Sequence, residues 1–164
     1  MIYYTEHPSP LGKLLLAATD QGLCGLYFEE HKYFKGTEGW HRDGNHPHLR
    51  KAVQQLDEYF DGRRRSFDLA LDMPGTAFQR AVWRELLALP FGTTATYQAI
   101  ADRIANPKAI RAAGTAIGRN PVSIIVPCHR VVGASGSLSG YAGGLERKRT
   151  LLALEHEDIL ESIA

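Results

Sequence analysis

Hydrophobic positions in the first seventy residues form short runs separated by turn residues, a pattern typical of a small antiparallel sheet. Residues 31–45 are polar and rich in glycine and histidine, which predicts a surface loop. A helix is predicted from Pro47 to Phe60, because apolar residues recur every three to four positions and Gly62 follows as a stop. The predicted strands are residues 2–4, 13–18 and 23–28, with a further one where Phe67, Leu69 and Leu71 alternate. Residues 1–72 are therefore predicted to form an α+β domain.

From residue 76 onward the hydrophobic spacing changes to that of helices. Thr76 and Gln79 match a capping box at the start of the first helix, which Phe91-Gly92 would end. Two short helices follow, capped by Thr96 and Asn106, and their close connection resembles a helix-turn-helix. These two helices are predicted at 97–104 and 108–118, and a last one at 145–155. Residues 76–164 are therefore predicted to form a mostly helical second domain, after a linker at 72–75.

A run of β-branched residues ends at Pro127, which cannot donate to a sheet ladder and normally marks the end of a strand. The sequence therefore predicts a buried strand, with the thiol of Cys128 placed where that strand stops. His129 follows at once, so a nucleophile and a base are neighbours. A free thiol is mostly protonated at neutral pH. Because adjacent side chains on an extended chain point to opposite sides, Cys128 and His129 can exchange a proton only through a turn or a bridging water.

Composition indicates a globular protein, since 44% of the 164 residues are hydrophobic and 23% are charged. No apolar run approaches the roughly 18 residues of a membrane span and no signal peptide is evident, so we expect no membrane partner. Two cysteines without a disulfide framework indicate a reducing compartment. We therefore expect a cytoplasmic monomer, nucleoid-associated if prokaryotic.

Charge is distributed unevenly along the chain. Residues 1–76 contain 9 basic and 11 acidic side chains, a net charge of −2, whereas residues 77–164 contain 10 and 7, a net charge of +3. The basic surface therefore lies in the half that contains Cys128, as contact with nucleic acid would require.

The second helix of the predicted helix-turn-helix carries mainly alanine and glycine, with Arg111 as its long side chain. Most recognition helices read bases with long polar side chains, whereas small residues let a helix approach DNA closely without demanding a sequence. Tight packing between helices explains the small residues equally well. Arg111 is either an ordinary solvated charge or a side chain that fills the gap left by an extruded base.

Residues 76–155 resemble the C-terminal domain of the O6-alkylguanine-DNA alkyltransferases, also called methylated-DNA–protein-cysteine methyltransferases. The N-terminal half resembles that family only in size and in its strand–helix layout. The matching segments, in the order and near the spacing of the family, are Phe78-Gln79, Val82-Trp83, Thr96-Tyr97-Gln98, Arg111-Ala112 with Gly114, Asn120-Pro121, Pro127-Cys128-His129-Arg130-Val131, Tyr141-Ala142-Gly143-Gly144, Leu151-Leu152 and Glu155.

The resemblance implies direct-reversal DNA repair, in which Cys128 irreversibly accepts an alkyl group from O6 of a flipped-out guanine, and from O4 of alkylated thymine as a further substrate. The partner it implies is double-stranded DNA that contains the alkylated base. It further implies that His129 acts on the thiol through a water and that Glu155 orients His129. The other residues to which it assigns roles are Asn120, which joins the helix to the cysteine turn; Tyr97, which donates to the departing guanine; Tyr141 and Ala142, which wall the pocket; and Thr96, Gln98, Arg111, Ala112 and Gly114, which contact DNA.

Each of these roles has an ordinary structural alternative. Tyr97 alone would be an amphipathic residue at the rim of a core, and Asn120 an ordinary Asn-Pro turn. Glu155 would be a solvated acid near a helix C-terminus, where its charge opposes the helix dipole. For the whole chain, the alternatives to an alkyltransferase are a non-catalytic protein that binds alkylated DNA and a hydrolase with a Cys-His pair. The intact Cys128 opposes the first, and the absence of cysteine-protease motifs opposes the second.

Departures from the family pattern concern the pocket and the metal. Ala142 stands where some members have serine, so only a backbone amide remains there, and Ser123 replaces a proline found in some relatives. We expect these changes to alter the tolerance for bulky alkyl groups. Some relatives bind a structural zinc, but Cys24 and the histidines of residues 31–48 match no established ligand spacing. We therefore expect no metal and no cofactor, with Cys24 a buried thiol in a strand.

Overall fold

A computed structural model describes residues 1–138 and 140–163, with side chains described through residue 156. The chain divides into two compact units, Met1–Pro74 and Gly75–Ala164. The first unit contains a sheet and a helix, and the second is mostly helical, which confirms the predicted fold class.

The first unit is a four-stranded sheet with one helix packed on it. Strand β2 pairs antiparallel with both β1 and β3, and the short β4 lies parallel to β1, giving the order β3-β2-β1-β4. The buried apolar side chains of this unit come from β2, β3 and α1. The elements are β1 (Tyr3–His7), β2 (Leu14–Ala18), β3 (Leu23–Phe28), β4 (His41–Arg42) and helix α1 (Pro47–Phe60).

Two predictions for the first unit are wrong. The stretch 31–45 is not only a surface loop, because it contains β4 and because His31 is buried and accepts a hydrogen bond from the Phe28 amide at 3.2 Å. Phe67 to Leu71 form no strand, and this segment touches the sheet only through a single bridge between Leu23 and Leu71. Phe67 and Leu71 are half-buried, so the alternation reflects partial burial and does not by itself indicate strand pairing.

In the second unit, helices α2, α3 and α4 pack against one another. The buried indole of Trp83 donates to the Ala116 carbonyl at 2.8 Å and so fixes α4 against α2. The α3–α4 pair is the predicted helix-turn-helix. The elements are α2 (Ala77–Leu87), β5 (Ala95–Thr96), α3 (Tyr97–Arg103), α4 (Ile110–Gly118), β6 (Val131–Val132) and α5 (Leu145–Ile163).

Helix ends in the second unit differ from the predictions in three places. Helix α2 stops at Leu87, before the predicted Phe91-Gly92. Asn106 makes no side-chain capping bond, and a 3-10 turn, Pro107–Ala109, precedes α4 instead of one continuous helix. Helix α5 continues to Ile163, eight residues beyond the prediction. None of the helices within the described chain is long and apolar enough to span a membrane.

Thr76 stabilises the start of α2 by the predicted capping box. Its hydroxyl accepts from the Gln79 amide at 3.1 Å, and the Gln79 side chain accepts from the Thr76 amide at 2.9 Å. We expect Thr76→Ala to lower the free energy of unfolding by about 1 kcal/mol in urea denaturation, because one helix amide loses its acceptor. Thr76→Ser retains the hydroxyl and should unfold like the wild type. Equal losses in both variants would contradict a capping role.

Candidate active site

The residues before Cys128 form a turn and not the predicted strand. Ile124 has a φ of 70°, a left-handed conformation that β-branched residues rarely adopt. The Val126 amide donates to the Val122 carbonyl at 3.0 Å, so this β-branched run closes on itself. Val122 forms a single β-bridge, and no strand of the described chain includes the run. Cys128 then begins a 3-10 turn, and strand β6 comes after the thiol rather than before it.

Asn120 holds this turn together and contacts the thiol directly. Its side-chain amide donates to the Val126 carbonyl at 2.8 Å and to the Cys128 sulfur at 3.2 Å. Its side-chain oxygen accepts from the Val122 amide at 3.0 Å. Since Asn120 follows α4 closely, its side chain joins the end of that helix to the turn. An ordinary Asn-Pro turn does not account for the bond to sulfur.

His129, Arg130 and Glu155 form a buried ionic cluster next to the thiol. His129 Nε2 lies 2.8 Å from Glu155 Oε2, while Arg130 donates to Oε1 through Nε at 2.8 Å and to Oε2 through Nη2 at 2.9 Å. Burial alone would raise the pKa of Glu155, but the hydrogen bonds from His129 and Arg130 outweigh it and hold that pKa well below its usual range. The carboxylate is therefore ionised and accepts from both neighbours.

The position of Glu155 corrects the alternative drawn from the sequence. Because α5 extends to Ile163, Glu155 lies inside the helix rather than near its C-terminus. Its residue is 0% exposed, so it is also not a solvated acid. Its charge is balanced by Arg130 and not by a helix dipole.

The Cys128 thiol is 7% exposed, and burial raises its pKa. Three neighbours act in the opposite direction: the hydrogen bond from Asn120, the positive charge of Lys148 and the hydroxyl of Tyr141. Lys148 is itself 0% exposed and donates to the Gly140 carbonyl at 3.3 Å. A buried ammonium near a buried thiol favours the thiolate, which is the nucleophilic form.

Tyr97 lies on the same side of the second unit as Lys148. The Lys148 ammonium is 6.0 Å from the centre of the Tyr97 ring. The parallel pairing of β5 with β6 explains this placement, because Tyr97 directly follows β5 and the cysteine turn directly precedes β6. Ala142 is half-buried in the loop between β6 and α5, next to Tyr141.

The residues expected to contact DNA lie on α4, on α3 and at the N-cap of α3. Arg111 and Ala112 are exposed on α4, whereas other alanines of that helix are buried, so its small residues serve both packing and exposure. A Cβ added at Gly114 would lie 3.7 Å from the Tyr97 ring, so α4 passes close to that ring. The Thr96 hydroxyl caps α3 by accepting from the Ala99 backbone amide at 3.1 Å. The side-chain amide of Gln98 donates to the Asp102 carboxylate and to the Pro107 carbonyl, both at 3.1 Å.

Sequence reasoning missed Lys148 and gave Arg130 no role of its own. Helical spacing could have identified Lys148, because it lies on the same face of α5 as Leu151 and Glu155. Lys148 would then be expected close to the carboxylate that the family resemblance singles out. Nothing local to Arg130 indicates its partner, since Glu155 is 25 residues away in the sequence.

The histidines of residues 31–48 do not form a metal-binding cluster in the described part of the chain. Among the described residues, no group of three histidine, cysteine, aspartate or glutamate side chains lies close enough together to hold an ion. His46 contacts Asp20 at 3.3 Å and stacks on Tyr3 at 4.6 Å. Cys24 is buried in β3, where burial raises its pKa to about 11, so it is a poor nucleophile.

Both halves of the chain match family models. Residues 77–157 match 6-O-methylguanine DNA methyltransferase, DNA binding domain, and residues 2–73 match 6-O-methylguanine DNA methyltransferase, ribonuclease-like domain. The methylated-DNA–protein-cysteine methyltransferase of Mycolicibacterium paratuberculosis is 49% identical over 155 residues, covering 94% of this chain and 93% of that protein. The protein of the same name from Methanosarcina acetivorans is 47% identical over 155 residues, covering 94% and 98%.

Solved structures give the same result. The crystal structure of Mycobacterium tuberculosis O6-methylguanine methyltransferase has a TM-score of 0.88 and 47% identity, covering 96% of this chain and 94% of that one. A crystal structure of Mycobacterium tuberculosis OGT in complex with DNA has a TM-score of 0.88 and 46% identity, covering 95% and 94%.

We expect Lys148→Met to raise the pKa of Cys128, because the thiolate loses the buried charge that favours it. The reaction of the thiol with a small alkylating reagent at neutral pH should slow by about tenfold. The rate is measured without DNA in a Cys24→Ala background, so that only one thiol reacts. Arg149→Met is the matched control, since it removes an exposed positive charge from the same helix. Equal rates in Lys148→Met and the control would contradict this role.

Proposed function

Because the chain belongs to the 6-O-methylguanine DNA methyltransferase family, we propose that it repairs DNA by transferring an alkyl group from O6 of guanine to Cys128. The observation that carries this assignment is the environment of that thiol. Cys128 is buried, receives a hydrogen bond from Asn120, and directly precedes the His129–Glu155 pair. The protein is a methylated-DNA–protein-cysteine methyltransferase that acts once, because the thioether product is stable.

The chemical step is a displacement at the alkyl carbon. The thiolate of Cys128 attacks this carbon, a sulfur–carbon bond forms, and the bond from the carbon to O6 breaks. The electron pair stays with guanine, which accepts a proton from the Tyr97 hydroxyl as it leaves. His129 takes the thiol proton, so one proton is given up at sulfur for each one that guanine receives. The positive charge of Lys148 favours the thiolate form of Cys128.

His129 is suited to accept the thiol proton through a water. Its Nε2 is committed to the Glu155 carboxylate, so the other ring nitrogen is the basic one. Nδ1 is buried and has no hydrogen-bond partner among the described residues. The 3-10 turn removes the obstacle of an extended chain, on which the two side chains would point apart.

The burial of Cys128 requires the target base to leave the DNA helix. O6 of a stacked guanine cannot reach a thiol that is 7% exposed in the protein. Arg111 is exposed on α4, and its guanidinium would occupy the gap in the duplex, flanked by the small side chain of Ala112. The partner is double-stranded DNA containing alkylated guanine, bound by one copy of the chain. Contacts to phosphates should make binding weaken with salt.

The same geometry disfavours the two alternatives. A protein that only binds alkylated DNA has no use for a thiol held by Asn120 beside a buried cation, Lys148. A hydrolase must release its product from the nucleophile, whereas an alkylated Cys128 has no acyl bond that water could cleave.

Methyl transfer is tested by incubating the protein with DNA that contains O6-methylguanine and measuring the intact mass. We expect a gain of one methyl group on Cys128, located by peptide mapping, and no further substrate consumption. Cys128→Ala should bind the DNA without a change in mass, and Cys24→Ala should react like the wild type, because Cys24 lies in another unit. Repeated turnover, or binding by wild type at unchanged mass, would contradict the proposal.

The role of Arg111 is tested by comparing DNA with free base. We expect Arg111→Ala to slow methyl transfer from duplex DNA by about tenfold or more, because filling the gap left by the base offsets part of the unstacking cost. Transfer from free O6-methylguanine should be unchanged, since a free base needs no extrusion. Arg84→Ala on α2 removes another exposed charge and serves as the control. An equal loss on both substrates would exclude a flipping role.

A further inference from the structure

Arg130 is the second cation of the site, and each of the three guanidinium nitrogens donates a hydrogen bond. Its Nε and Nη2 form a fork on the Glu155 carboxylate, and Nη1 donates to the Leu89 carbonyl at 2.7 Å. The guanidinium also lies 5.8 Å from the centre of the Phe91 ring. Arg130 is 6% exposed, so solvent screens these contacts only weakly.

The Glu155 carboxylate is therefore shared between two neighbours. Oε2 faces both Arg130 Nη2 and His129 Nε2, at 2.9 and 2.8 Å. A carboxylate whose only partner was an imidazole would favour the protonated form of that imidazole and raise its pKa. With Arg130 on the same carboxylate, the negative charge is already balanced, and His129 gains much less from becoming charged.

We infer that Arg130 is a positioning residue that keeps His129 neutral, with its proton on Nε2 and a lone pair on Nδ1. The inference rests on the proposed function, because a neutral His129 matters only if it must accept the proton of Cys128. An imidazolium would carry protons on both ring nitrogens and could accept none.

The charged groups around His129 act on its pKa in two directions. They come from two elements: Glu155 and Lys148 on α5, and Cys128 and Arg130 on its own turn. Burial is the main reason that the pKa of His129 is lowered; Glu155 opposes this, and the positive charges of Arg130 and Lys148 reinforce it. Arg130 differs from Lys148 in that it touches the carboxylate that His129 also touches.

The first test is made on the wild-type protein without DNA. Nitrogen-15 chemical shifts of the imidazole should show a neutral His129 at pH 7, with the proton on Nε2. An imidazolium at pH 7, or a proton on Nδ1, would overturn the inference. This measurement does not depend on methyl transfer, so it remains decisive even if the chain proves to transfer no alkyl group. Wild-type methyl transfer tests the proposed function separately.

The second test separates the charge of Arg130 from its packing. Arg130→Gln keeps a donor for Glu155 but removes the charge, so the midpoint of His129 titration should move to higher pH. The acid side of the pH profile of methyl transfer should move with it, with a loss of about tenfold at a pH where the wild type is still active. Arg130→Lys keeps the charge without the fork and should keep the wild-type midpoint, although its melting temperature falls.

A purely structural Arg130 gives a different result. Both variants would then lose thermal stability while His129 titrated as in the wild type, and that outcome overturns the inference. If Arg130→Gln does not fold, Arg130→Met serves as the uncharged variant, and a His129 midpoint unchanged from the wild type in it overturns the inference. An upward shift of the midpoint in Arg130→Lys, which keeps the charge, overturns it as well. Arg64→Gln is the control: it removes the half-buried partner of Glu58, in the other unit, and should change neither measurement.

Discussion

The ionised carboxylate of Glu155, buried in the second unit, is the group around which the site is arranged. Burying a charge is unfavourable unless it is paired and hydrogen-bonded. Here three hydrogen bonds from two side chains, His129 and Arg130, offset that cost. Each partner occupies a defined place on the carboxylate, so the orientation of the imidazole follows from the position of α5.

Several elements are linked to this carboxylate through the backbone. Arg130 immediately precedes β6, and β6 pairs with β5, whose last residue caps α3. Tyr97 is the first residue of α3, so the position of its ring is linked to that of the cysteine turn. Asn120 joins the same turn to the end of α4. Cys128, His129 and the helix α4 thus belong to one connected framework.

Much of the fold was predictable because its signals are local. The strand β3, the helix α1 and the capping box at Thr76 follow from spacing and from residue types within a few positions. The prediction of a strand before Cys128 was wrong. β-branched residues favour strands, but here the Val122 amide donates to the Asn120 side chain, and residue composition does not show this contact. The length of α5 was underestimated although residues 145–163 contain no glycine or proline that would end the helix earlier.

Part of the candidate site could be predicted because its signals are local too. Cys128 and His129 are neighbours in the sequence, and the resemblance to a family identified Glu155. The contributions of Lys148 and Arg130 depend on contacts between distant segments and on burial, neither of which a single sequence displays. Arg130 was visible in the motif, but its partner on α5 was not.

The loop between β6 and α5 has a further consequence, for how this protein can evolve. Its first half closes on itself, with the Gly133 amide donating to the Ser137 carbonyl at 2.8 Å. Arg130 before the loop and Lys148 after it lie outside it, whereas Tyr141, whose hydroxyl lowers the pKa of Cys128, and Gly140, whose carbonyl accepts from Lys148, lie within it. Changes in residues 133–138 therefore leave the described partners of Cys128 and Lys148 in place, whereas changes at residues 140 and 141 alter them. The two halves of one loop thus differ in what their mutations can do to the thiol.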